Sequence, residues 1–175
     1  MNRLPIKIIK TNATLGEGIS YLRQRNRVIA FDILDKRLFL IDPENDWKNE
    51  VYRIPFMGSC AMELTDGQVL LAGSQGLYIT DNFVEFSSVL SHTDDEGMRT
   101  NDGREDPDGR FWYSLMSVTA EKQRGSIFCF VPENMCSELI FRDLTIPNSI
   151  SFDKQLSRGY YSGKWLTCSL DSSET

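Results

Sequence analysis

The sequence predicts an all-β fold and, within that class, a β-propeller. Three observations carry this. No segment keeps a sustained helical period. Short apolar runs alternate with turn residues every ~8–12 positions, the spacing of antiparallel strands. The runs also repeat: Asn26-Arg-Val-Ile-Ala-Phe31, Gly67-Gln-Val-Leu-Leu-Ala72 and Gly109-Arg-Phe-Trp-Tyr-Ser114 align, placing Arg27, Gln68 and Arg110 at successive intervals of 41 and 42 residues. A period of ~40–50 residues holding about four short strands is that of a propeller blade. Generic hairpins that share a spacing by coincidence are the competing account.

Taken in order, residues 6–10 read as a first strand. Thr14-Leu-Gly-Glu-Gly18 follows as a turn with one acid between two glycines. Glycines there let the chain bend and let a ligand approach closely, although Glu17 also reads as a solvated turn residue. Residues 27–32 and 37–42 are apolar runs joined by Ile-Leu-Asp-Lys, a hairpin signal. Residues 51–55 and 60–64 are strand-like, and the turn Thr65-Asp66-Gly67 leads into a second hairpin, 68–73 and 77–80, around Ser74-Gln-Gly76. Residues 91–109 are polar and acidic and read as a long loop. Residues 110–115, 126–131, 137–143 and 148–153 read as further strands, and a weaker fourth copy of the repeat begins near Arg158-Gly-Tyr-Tyr161.

Composition sets bounds. The 175 residues suffice for one domain with a sizeable core. The net charge of −6 argues against general affinity for nucleic acid or an anionic membrane. No run approaches the ~20 apolar residues of a membrane span, and no apolar stretch near the start resembles an export signal. The expected location is cytoplasmic, with Cys60, Cys129, Cys136 and Cys168 reduced and buried. No CxxC pair occurs and His92 is the one histidine, which excludes a zinc-finger pattern. His92 is expected to be exposed rather than catalytic, and Asp94-Asp-Glu96 a solvated acidic loop. Phe111 and Trp112 are expected in the blade core.

The segment from Arg99 to Met116 gathers an arginine, an asparagine and several carboxylates just before a rigid strand. Loops on rigid scaffolds are where binding and catalytic groups tend to sit. The same residues also make ordinary turns.

Several segments, in order, resemble the gluconolactonase, regucalcin (senescence marker protein) and luciferin-regenerating enzyme family. They are Leu15-Gly-Glu-Gly18, Val28-Ile-Ala-Phe-Asp-Ile33, Gly76-Leu77, Arg99-Thr-Asn-Asp-Gly103, Asp106-Pro-Asp-Gly-Arg-Phe-Trp112 with Met116, and Pro147-Asn148-Ser149. The resemblance implies a six-bladed propeller with one divalent cation at its central channel, Ca²⁺, Zn²⁺, Mg²⁺ or Mn²⁺. It implies hydrolysis of a small, sugar-type lactone to its hydroxy acid. By motif, Glu17 and Asn148 would be metal ligands, and Arg99 and Asn101 would hold the substrate. The chemistry is coherent: carboxylate and amide oxygens suit hard cations, and a cation polarises the ester carbonyl that water attacks.

The departures are also specific. About four blades fit here, against six in the family. The family's remaining ligand and general base, an aspartate in its later half, is expected beyond the last residue, so no catalytic base is assigned. Neither Asp153 nor Asp171 sits in the matching motif. Residues 1–161 are therefore read as a partial propeller and 162–175 as an atypical tail, with exposed blade edges inviting self-association. Ser149 replaces a glycine, and Tyr113-Ser-Leu115 replaces small residues in a way expected to narrow the pocket. The family often has an acid at the position of Thr119, with Glu121 close by. The competing functions are a non-catalytic calcium-binding or interaction propeller and an inactive fragment.

Overall fold

A computed structural model describes residues 6–92, 97–155, 157–163 and 166–171, the last of these as backbone. Fifteen strands and no helix occur among the described residues. They form four antiparallel sheets in strict chain order. Blade 1 holds β1 (Gly16–Leu22), β2 (Arg27–Asp32), β3 (Arg37–Asp42) and β4 (Lys48–Arg53). Blade 2 holds β5 (Gly58–Glu63), β6 (Val69–Gly73), β7 (Gly76–Thr80) and β8 (Ser87–Ser91). Blade 3 holds β9 (Met98–Glu105), β10 (Phe111–Ser117), β11 (Gly125–Val131) and β12 (Cys136–Leu144). Blade 4 holds β13 (Asn148–Asp153), β14 (Arg158–Gly163) and β15 (Leu166–Asp171).

The repeat now has a structural meaning. Arg27, Gln68 and Arg110 open or immediately precede β2, β6 and β10, the second strand of each blade. Successive side chains of a strand point to opposite faces, so a strand buried on both faces is apolar throughout. In β6, Val69 and Leu71 pack toward blade 1 with Ile29, Phe31 and Leu38. Its Leu70 and Ala72 pack toward blade 3 with Phe111, Tyr113 and Phe130. Trp112 faces the other way and joins Ile127, Ile150 and Tyr161 between blades 3 and 4. The core is thus three layers between blades, as expected of Phe111 and Trp112. The last strands of the first three blades, β4, β8 and β12, alternate or face solvent.

Some expectations fail. Residues 6–13 form no strand, and Ile6 and Ile8 are exposed. The first strand is instead β1, which begins inside the glycine-flanked segment read as a turn. Eight residues of the segment read as a loop, 98–105, are instead β9, and 106–109 turn the chain into β10. Both misreadings have one cause. Innermost propeller strands line a central channel, so polar residues there stay compatible with a ladder, and the apolar pattern that signals a strand is missing. Cys136 is exposed, whereas Cys60 and Cys129 are buried, and all three are free thiols.

Candidate functional site

Each innermost strand carries an irregularity near its start. Between Glu17 and Ser20, β1 advances three residues while β2 advances two, from Phe31 to Ile29. Between Gly58 and Cys60, β5 advances two while β6 advances one. The same single extra residue occurs in β9 between Thr100 and Gly103, and in β13 between Asn148 and Ser151. Bulges re-aim side chains and concentrate beside active sites. Here they collect Glu17, Ser59, Asn101–Asp102 and Asn148–Ser149 at one end of the inner strands. Glu17, Ser59, Asn101 and Asn148 are 42, 42 and 47 residues apart, which is the blade period again.

Glu17 and Asn148 line one open hollow of about 360 Å³, with Asp102, Arg104 and Ser149. That volume lies within the usual range for small-molecule sites. Glu17 is held by its neighbours rather than by its own contacts. The buried Asp32 carboxylate accepts from the amides of Thr14 and Leu15, both at 3.0 Å, and from Arg37 Nη2 at 2.5 Å. Burial pushes the Asp32 carboxyl upward, but the Leu15 and Thr14 amides and Arg37 outweigh it and lower its pKa to about 2. On the other side, Gly18 adopts φ +63, and a Cβ there would lie 1.8 Å from the Ser59 carbonyl oxygen. The backbone beside Glu17 is therefore pressed against blade 2.

Arg99 and Asn101 are buried beside the hollow rather than lining it. Arg99 Nη1 donates to Asn101 Oδ1 and to the Thr100 carbonyl, each at 2.9 Å. Burial lowers the pKa of the Arg99 guanidinium, and the nearby Glu17 carboxylate opposes that shift. Asn101 Nδ2 donates to the Pro147 carbonyl at 3.1 Å. Of the residues picked out by motif, Arg99 and Asn101 are thus hydrogen-bonded to each other and to the segment that carries Asn148, while Glu17 acts on Arg99 only through its charge.

Three residues escaped the sequence reading. Asp102 Oδ2 accepts from the Ile150 amide at 2.9 Å. The buried Ser114 accepts from the Asp102 amide at 3.0 Å and lies 3.1 Å from the Pro147 carbonyl. Buried Ser59 donates to Thr100 Oγ1 at 2.8 Å. The available signal was the repeat itself: Ser59 stands one period from both Glu17 and Asn101. Ser149 adopts φ 58, the left-handed region that glycine favours, and its amide donates to Asn148 Oδ1 at 2.8 Å.

Other expectations resolve differently. None of Tyr113, Ser114 and Leu115 lines the hollow, so they do not narrow it. The Tyr113 ring is buried between blades 2 and 3. His92 is half-buried, with its ring Nε2 2.8 Å from the Tyr113 hydroxyl, and so is a packed residue rather than an exposed one. Glu121 is exposed and tied to Thr119 and Arg124. Asp94–Glu96 lie outside the described residues, as do the side chains of Cys168 and Asp171.

The donor set fits a hard divalent cation on chemical grounds. Glu17 supplies a carboxylate, Asn148 an amide oxygen with a lone pair beyond its local bond, and Asp102 a second carboxylate at the same hollow. Among the described residues no group of three His, Cys, Asp or Glu side chains converges closely enough to hold a metal ion unaided.

A family model described as "SMP-30/Gluconolactonase/LRE-like region" matches residues 15–172. The chain belongs to this family. Among its relatives is the 6-deoxy-6-sulfogluconolactonase of Pseudomonas putida, 25% identical over 164 residues that cover 93% of this chain and 56% of that protein. The crystal structure of a calcium-binding protein, regucalcin, from Agrobacterium tumefaciens str. C58 superposes with a TM-score of 0.81 at 30% identity, covering 87% of this chain and 52% of that one. A luciferin-regenerating enzyme superposes with a TM-score of 0.78 at 18% identity, covering 86% and 53%, and bears on the fold alone. The chain spans about half the length of the curated family relatives it matches. Among the described residues no helix is long and apolar enough to cross a membrane.

Proposed function

We propose that this chain carries the binding half of a cation-dependent lactonase site, which hydrolyses a small sugar-type lactone to its hydroxy acid. The observation that carries the reading is the convergence of Glu17 and Asn148 on one hollow, with Arg99 held beside it. Glu17 and Asn148, with Asp102 at the same wall, would hold Ca²⁺, Zn²⁺, Mg²⁺ or Mn²⁺, and water would complete the shell. The cation would supply Lewis acidity, polarising the lactone carbonyl and lowering the pKa of nearby water. Arg99, buried behind the wall of the hollow, would supply a fixed positive charge that favours the oxygens of the substrate. Asn101 fixes the guanidinium through Oδ1 and presents its amide to the same polar wall. Gly18 and the bulge in β1 keep the Glu17 backbone close to blade 2. The family's aspartate base is not assigned to any residue here.

A second reading, cation binding without turnover, draws on the solved calcium-binding regucalcin at 30% identity. One set of measurements separates the two. Calorimetric titration with each cation and a pH-stat assay with glucono-type lactones are run on the wild type, Glu17→Gln, Asn148→Ala and Arg99→Ala. The lactonase reading expects cation-dependent turnover. Glu17→Gln and Asn148→Ala should each weaken cation binding at least about tenfold. Arg99→Ala should leave cation binding within about twofold and lower kcat/KM about 100-fold. Cation binding with no turnover favours the second reading. Unchanged affinity in both ligand variants removes the assignment of Glu17 and Asn148.

A further inference from the structure

Asn148 sits on a short segment that turns through a left-handed residue, one of twelve non-glycine residues at positive φ among those described. Ser149 holds φ 58 although it has a side chain, and Asn148 Oδ1 turns back onto its amide. A non-glycine residue in the left-handed region costs of order 1 kcal/mol and persists only where its surroundings over-determine it. What over-determines it is on blade 3. The Pro147 carbonyl faces two donors, Asn101 Nδ2 at 3.1 Å and Ser114 Oγ at 3.1 Å. The Ile150 amide is taken by Asp102 Oδ2 at 2.9 Å. The Ser114 hydroxyl is fully buried and central to this set: it accepts from the Asp102 amide at 3.0 Å, and its one proton is shared between the Pro147 and Asp102 carbonyls, at 3.1 and 3.2 Å. It therefore touches both β9, which carries Asp102, and the entry to β13. Ser162 Oγ, donating to the Asn148 carbonyl at 3.2 Å, closes the segment from its own blade.

We propose that Ser114 is a positioning residue, whose hydroxyl clamps the strained Pro147–Ile150 segment to blade 3 and so sets where the Asn148 side chain points. Ser114 touches neither the hollow nor Glu17; it acts through Asn148. The clamp and the strain are a matched pair: Ser149 in the left-handed region needs a holder that a glycine at 149 would not need. The assignment rests on the reading of Asn148 as a cation ligand for its functional consequence, but not for the coupling itself.

The test is a cycle of Ser114→Ala, Ser149→Gly and the double variant in the whole chain, read by hydrogen exchange and by Ca²⁺ titration. In Ser114→Ala the Ser149 and Ile150 amides should exchange about tenfold faster, with the β10–β11 ladder unchanged, since a lost buried hydrogen bond loosens what it held. Ca²⁺ affinity should fall about fivefold to tenfold by the same measure. In the Ser149→Gly background both effects of Ser114→Ala should shrink to within about twofold, because contacting groups couple. Should alanine unfold the chain, Ser114→Cys, which keeps the volume but is a poor hydrogen-bond donor, reads the same contrast. Unchanged exchange at residues 149 and 150, equal losses in both backgrounds, or uniform acceleration throughout blade 3 in both Ser114 variants would overturn the proposal. If the wild type binds no Ca²⁺, the reading of the site fails, while the exchange cycle still decides the clamp.

Discussion

Asp32 shows how one carboxylate far from any chemistry governs a site residue. It is buried, receives the amides of Thr14 and Leu15 together with Arg37, and thereby fixes the chain two residues before Glu17. Its pKa is lowered from 3.8 to about 2 in the folded chain. The unfolded state therefore binds this proton more readily, and the stabilisation is present above pH ~4 and lost as pH falls from about 4 toward 2. Asp32→Asn should cost about 1–2 kcal/mol at pH 7. The gap between variant and wild type in urea melts should narrow between pH 4 and pH 2.5. A gap that does not change with pH would mean that the loss is steric. Asp32 was visible in the motif around residue 31, but its role was not, because its amide donors lie in the bend before β1, far from it in the chain.

At the scale of the element, the inner strands matter most and were the hardest to read. Each carries one extra residue, and a bulge has no reliable signature in a single sequence. What marked them was glycine. Gly18 and Gly103 stand where the backbone meets a neighbour: a Cβ on Gly103 would lie 2.6 Å from Cys60 Sγ and 2.7 Å from the Trp112 carbonyl. At Gly18 the obstacle is backbone and the φ is positive, so nothing flexible can give way. Gly18→Ala should destabilise the chain by more than about 2 kcal/mol, through clash and left-handed strain together. Differential scanning calorimetry measures this, and a loss below 0.5 kcal/mol would show that β1 can move off blade 2. The second and third strands of the first three blades were legible, because they are largely buried and so mostly apolar, whereas β15 falls in the segment read as an atypical tail.

At the scale of the molecule, the four blades form an arc whose interior layers are closed and whose first blade presents an open face. Ala13, Ile19, Ala30 and Phe39 line an apolar hollow there, with Ile19 66% and Tyr21 53% exposed. Exposed apolar surface on a sheet favours pairing with another chain. We propose that the isolated chain self-associates through this face. Sedimentation should show concentration-dependent association that Ile19→Asp with Tyr21→Ser weakens at least about tenfold, two lost apolar anchors being worth that much. A monomer at all concentrations would refute it. A cation that binds the folded state alone should also raise the melting temperature, by about 2–4 °C per kcal/mol of linkage for a chain this size. Millimolar Ca²⁺ or Mg²⁺ in a thermal melt measures this, and Glu17→Gln should abolish the rise.

By itself the sequence determined the all-β class, the blade period and the family motifs that single out Glu17, Arg99, Asn101 and Asn148. These follow from local rules: alternation, turn chemistry and a repeat that any reader can align. Only the tertiary structure decided how those residues meet. Glu17 and Asn148 are more than 130 residues apart in the chain, and they share a hollow because inner strands of successive blades converge on one axis. The same convergence makes Ser114, Asp102 and Ser149 matter. The contacts of Ser114 and Asp102 cross from blade 3 to the segment that carries Ser149 in blade 4, and hydrogen bonds between blades leave no trace in the pattern of either strand.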